Sequence, residues 1–182
     1  MTTAIASTTV ATSTAFNPLT ESRLSLKSIK KIRGSEGYGF ECKVYFDGVF
    51  AGEAFDYADG GPVHLMPASA DMDIRILAYL SAFPKMPFNG FDLDITLDIA
   101  IGELVQLDNI RKTLTRAHKK SLCLALPDTQ YGSYLHIPCR PDDVDATIAA
   151  FDRKYGSGQW LMLANPRDGV VMPPEYYKAD AA

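Results

Sequence analysis

The chain has 182 residues, 47% hydrophobic and 22% charged, with a formal net charge of -4 at pH 7. One ordinary globular domain with a core of its own is the default at this length. The acidic balance argues against a nucleic-acid binder built on general basic excess, though not against a local basic patch, and three cysteines without a CxxC pair argue against a disulfide framework.

Residues 1–23, MTTAIASTTVATSTAFNPLTESR, are rich in Thr, Ser and Ala, and their first charged side chain is Glu21. A signal peptide needs a basic start and an apolar core, and this stretch has neither, so it reads as a disordered tail. No apolar run approaches a membrane span, and a cytoplasmic protein is expected. Leu24–Arg33 mixes apolar and basic residues and breaks at Gly34. Phe40, Cys42, Val44 and Phe46 then alternate with Glu41, Lys43, Tyr45 and Asp47, the period of a half-buried strand. Asp47-Gly48 follows, a hairpin signal, and residues 49–57 return. A two-residue turn pairs Phe46 with Val49 and brings Glu53 to the face of Cys42. A three-residue loop with a bulge at Gly48 turns Phe50, Gly52 and Ala54 inward and leaves Glu53 in water, and this register is preferred because an unpaired buried carboxylate is costly.

The stretch DYADGGPVHL, residues 56–65, gathers two aspartates, a glycine pair and a histidine. Phosphate loops place their glycines at a helix start with a Lys and a Ser or Thr, and none follows here. A metal site would need Asp56 or Asp59 to converge with His64, the weak metal candidate of the chain. A turn made by Asp59-Gly60-Gly61-Pro62 is the simpler reading. Ser69 caps the next helix, whose stripe is Met72, Ile76, Tyr79, Leu80 and Phe83. FDLDITLD, residues 91–98, alternates as a strand with Asp92, Asp94 and Asp98 on one outer face. That face reads as edge protection, or as an imitation of a phosphate backbone.

From Asp98 to Ala117 the period suits one helix, or two joined near Asp108-Asn109. Its end carries Arg111, Lys112, Arg116, His118, Lys119 and Lys120, a dense positive patch where helix ends favour cations and where an anionic partner would dock. SLCLALP and SYLHIPC form a second hairpin around a turn at 128–133, with Cys123 and Cys139 on neighbouring strands; all three thiols are expected reduced. Pro141 starts a helix with Val144, Ile148, Phe151 and Tyr155 on one face, and Gly156 ends it. Trp160 to Leu163 is a last apolar segment, and 166–182 is expected to be a loosely packed tail whose Tyr176 and Tyr177 can pack back onto the domain. The expected fold is α+β: a small antiparallel sheet of two hairpins against three to four helices, spanning 24–165.

The order of VYFDGVFAGEAFDYADGGP, LDIAIGELV, IRKTLTRAHKKSLCLAL and DRKYG resembles small accessory proteins of tailed phages and of integrative or conjugative elements. The turn at Asp59-Gly60-Gly61 lacks the basic residue associated with that group, and the Thr/Ser-rich head is extra. The resemblance implies no catalytic residue and no cofactor. It implies a bacterial host cell and a non-enzymatic protein that binds a host protein or protein complex, such as an inhibitor of anti-phage defence of the anti-CRISPR kind. The rival expectations are a small metal-dependent or hydrolytic enzyme using His64 and nearby carboxylates, with His118 and His136 as further candidates, and a nucleic-acid accessory protein using the 111–120 patch.

Overall fold

The computed structural model describes residues 16–21, 23–88, 91–129 and 131–177. It is an α+β fold of two four-stranded antiparallel sheets and three helices. The first sheet is a meander of β1 (Leu24–Arg33), β2 (Tyr38–Phe46), β3 (Val49–Asp56) and β4 (His64–Pro67), in that order. Helix α1 (Ala70–Leu80) and a small hairpin of β5 (Met86–Phe88) and β6 (Phe91–Leu93) follow. Next comes α2 (Leu97–Ala117), then β7 (Ser121–Ala125), β8 (Leu135–Pro138), α3 (Val144–Tyr155), β9 (Leu161–Asn165) and β10 (Gly169–Val170). The second sheet has the order β10-β9-β7-β8, so β8 and β9 flank β7 and α3 carries the chain across it. The two hairpins expected from the sequence therefore stand in different sheets.

Helix α2 joins the halves. Its first turns place Ala100, Ile101, Leu104 and Val105 in the core under the first sheet, with Val44, Phe46 and Ala54. Its later turns place Leu107, Ile110 and Leu114 against Cys123, Leu163 and Ala164 of the second sheet. On the other face of that sheet α3 covers Leu122 and Leu124 with Val144, Ile148 and Phe151. A continuous 21-residue helix replaces the alternative of two short ones. Among the described residues no helix is long and apolar enough to cross a membrane.

The first hairpin corrects the preferred register. Asp47 and Gly48 both have positive φ, 51° and 77°, and Phe46 pairs with Val49, so the turn is the tight two-residue kind. The extra residue lies further along: Val44 pairs with Gly52 and Tyr45 with Phe50, leaving Ala51 as the bulge. The bulge resets the alternation, so Ala54 faces inward opposite Cys42 and Glu53 faces water opposite Lys43. Glu53 is exposed as expected, but Phe50 is 41% exposed and is not core. Gly52 is required at the bulge, because a Cβ there would stand 2.3 Å from the Met66 carbonyl oxygen.

The turn is clamped from the preceding segment. Arg23 donates from Nε to Asp47 Oδ1 and from a terminal nitrogen to Oδ2, both at 2.8 Å. Its guanidinium lies 4.5 Å from the ring centres of both Phe46 and Tyr79. Hydrogen bonding from Arg23 holds the Asp47 carboxyl below its ordinary range. Tyr79 donates to Glu21 Oε2 at 2.7 Å, and Phe16 meets Phe83 edge-on. Chain within the expected disordered tail is thus part of the core from Phe16, while residues 1–15 lie outside the described residues.

Two further expectations change, and a strand with no counterpart among them, β4, is added. β6 ends at Leu93; Thr96 caps α2 by accepting from Ile99 N, so FDLDITLD is a short strand running into a helix. β4, four residues long, follows the Gly-Pro turn. The C-terminal segment is anchored through residue 177: Tyr176 is 2% exposed, accepts from Gly132 N and donates to the Ser133 carbonyl. Ser69 caps α1 as read, accepting from Met72 N at 3.2 Å. Ser69→Ala is expected to lower unfolding free energy by about 1 kcal/mol, seen in chemical denaturation.

Candidate functional site

The basic end of α2 meets the start of α3 across the end of β8. Leu114 O accepts from His118 N at 2.8 Å, closing the last turn of α2, and Lys119 and Lys120 lead directly into β7. Cys139 N donates to Lys120 O at 3.1 Å, which ties the β8 exit to this corner. Arg140 follows in extended conformation, and Pro141 begins a short 3-10 turn that feeds α3. An open groove of about 720 Å³ lies between them. Lys119, Lys120 and Arg140 border it, with Asp143 the one acidic side chain among its described lining residues; Pro138, Pro141, Ala146 and Ala150 give it small apolar walls. None of the three cations is in an ion pair with a described residue. Such a groove suits an anionic group that carries small apolar neighbours.

The expected positive patch is divided by the helical period. Lys112 is held by Asp108 at 2.6 Å, one turn back on α2. Arg111 borders a different cavity, of about 180 Å³, beside Leu104, Leu107 and the segment from Pro18. Arg116 is exposed and His118 caps the helix, its Nδ1 3.2 Å from Leu114 O. Only Lys119 and Lys120 of the run line the groove. Arg140, absent from the sequence candidates, joins them because β7–β8 pairing returns the chain to this corner.

The three aspartates do not share a face. Asp92 is exposed on β6, Asp94 lies 3.3 Å from Lys85, and Asp98 in the first turn of α2 accepts from Val63 N at 2.7 Å. The expected acidic strand face is therefore replaced by three separate environments, because Thr96 turns the chain into a helix. DYADGGPVHL is a turn: Asp56 accepts from Ala58 N and Asp59 from Gly61 N. His64 is exposed on β4 with its ring near Tyr57, and His136 on β8 lies against Tyr134. Among the described residues no three His, Cys, Asp or Glu side chains stand together as a metal site.

Cys42, Cys123 and Cys139 are free and buried. Cys123 belongs to the α2 side of the second sheet and Cys139 to the α3 side. Burial pushes the Cys42 and Cys123 thiols up from 9.0 to about 11. The folded state therefore holds these protons more tightly than the unfolded chain. Their contribution to stability is complete below pH 9.0 and is lost as pH rises towards about 11. Denaturation midpoints should fall across that window, and less steeply for Cys42→Ala. An undiminished slope would assign the loss to other groups.

No protein-family model, curated protein or solved structure matches this chain.

Proposed function

We propose that the chain is a non-enzymatic binding protein of a mobile genetic element, and that it engages a host protein complex through the groove at Lys119, Lys120 and Arg140. What supports this reading is the convergence of three cations, none ion-paired to a described residue, from two chain segments on small apolar walls. Exposed cations steer an acidic partner and fix its register, while the Pro and Ala surface receives its short side chains. An acidic protein segment fits this combination better than a phosphate backbone, since none of the described residues lining the groove is aromatic and able to stack a base. The genetic setting rests on the resemblance of the sequence elements to phage and conjugative-element proteins.

Affinity capture from bacterial lysate tests the reading with wild type, a Lys119→Ala/Lys120→Ala/Arg140→Ala variant and an Asp92→Asn/Asp94→Asn/Asp98→Asn variant. Wild type and the aspartate variant should retain the same stoichiometric protein, and the groove variant should lose it. Retention by the groove variant with loss by the aspartate variant would make acidic mimicry the mode of action.

A further inference from the structure

We propose that the outer face of the first sheet is a second, separate site that binds single-stranded nucleic acid. The inner face of this sheet is sealed by the α1 and α2 core, whereas strand pairing sets the outer face as rows across the sheet. One row pairs Tyr45 with Phe50. The next runs Lys27, Lys43, Glu53, Met66, and the third Lys30, Glu41, Phe55, His64. Among the described residues no element covers them: Phe50 is 41%, Tyr57 52% and Met66 66% exposed.

The rings are arranged as platforms. Phe55 and Tyr57 lie nearly parallel, 9° apart, with His64 beyond at 5.9 Å from Tyr57. Tyr45 and Phe50 form the second group, with the Lys27 ammonium 4.3 Å over the Tyr45 ring. The two groups are about 13 Å apart along the strands, four residues at the strand rise. β1 contributes Lys27 and Lys30 to this face, paired with Lys43 and Glu41 of β2. Of the two glutamates on the face, Glu41 is neutralised by Lys30 at 2.5 Å and Glu53 stands opposite Lys43. Exposed rings with Lys27 and Lys43 in the row between them match the two parts of a single strand, unstacked bases and their phosphates. A duplex hides its base faces and gains only the charge.

Fluorescence anisotropy with labelled oligouridylate and oligothymidylate, about 12 nucleotides long, tests this on the full chain, against a duplex of equal length. Single strands should bind more tightly than the duplex. Phe50→Ala/Tyr57→Ala should weaken binding at least about tenfold, Tyr57→Phe should not, and Lys27→Gln/Lys43→Gln should flatten the salt dependence. Should the double ring variant not fold, Tyr57→Ala alone, at an exposed position, serves the same purpose. The groove variant lacking Lys119, Lys120 and Arg140 should bind the strands normally, which keeps this site distinct from the protein contact. Equal binding of duplex and single strand, no binding of either, or indifference to the ring substitutions would overturn the proposal. So would sedimentation showing a dimer that Tyr57→Ala breaks while no oligonucleotide binds.

Discussion

Phe46→Ala is expected to lower the unfolding free energy by about 3–5 kcal/mol, a large share of the roughly 5–15 kcal/mol that holds a domain together. The ring is 1% exposed and is among the largest fully buried side chains. It packs 5.3 Å from the Tyr79 ring and lies under the Arg23 guanidinium. Truncation therefore leaves a cavity where the clamp, α1 and the hairpin meet, and it removes the face on which Arg23 rests. Phe50→Ala, four residues later, should cost less than about 1 kcal/mol, since its ring is partly in water and meets the Tyr45 ring edge-on. Urea denaturation of both variants, with unchanged slopes, checks this. Comparable losses from the two would restore the three-residue loop and contradict the tight turn at Asp47-Gly48.

Removing the three groove cations together should weaken the captured partner's affinity by about 100-fold, or roughly 3 kcal/mol, while folding stability moves little. Each cation is at the surface and none supports the fold through an ion pair with a described residue. Loss of binding could then not be attributed to unfolding. Wild-type affinity should also fall as salt rises, because the screening length is about 8 Å at physiological ionic strength, and the variant should show a weaker dependence. Arg111→Ala/Lys112→Ala should have little effect on binding, because those side chains serve other surroundings on α2.

Local patterns made much of the fold legible. The alternation of GFECKVYF marked β2 and its inward face, Ser69 marked the start of α1, and Pro141 and Gly156 bracketed the last helix. The pairing of β7 with β8 was visible as two short apolar runs around a polar turn. β1 was harder, because the register shift between Lys27 and Lys30 breaks its period of two. The alternation in FDLDITLD misled for a related reason. Residues in an extended approach to a helix cap keep a strand-like spacing, so the pattern points Asp98 to a strand face although it lies on α2.

What was missed depends on contacts between distant residues. Nothing near Tyr176 in the sequence points to Gly132 and Ser133, more than 40 positions earlier, yet their hydrogen bonds hold the C-terminal segment. The groove shows the same limit. Its lysines were visible as a charge run, but Arg140 stands alone in a loop, and only strand pairing brings it to them. The aromatic outer face of the first sheet is spread over residues 45–64 of two hairpins and becomes a surface only through their register.

The central claim is that the corner formed by α2, β8 and α3 is the contact with a protein partner. Acylation footprinting of the purified complex, read by mass spectrometry, tests it at the atoms concerned. Lys119 and Lys120 should be modified several-fold more slowly in the complex than in the free protein, while Lys27, Lys43 and Lys85, on other surfaces, should react at unchanged rates. Equal modification of Lys119 and Lys120 with and without the partner would contradict the account.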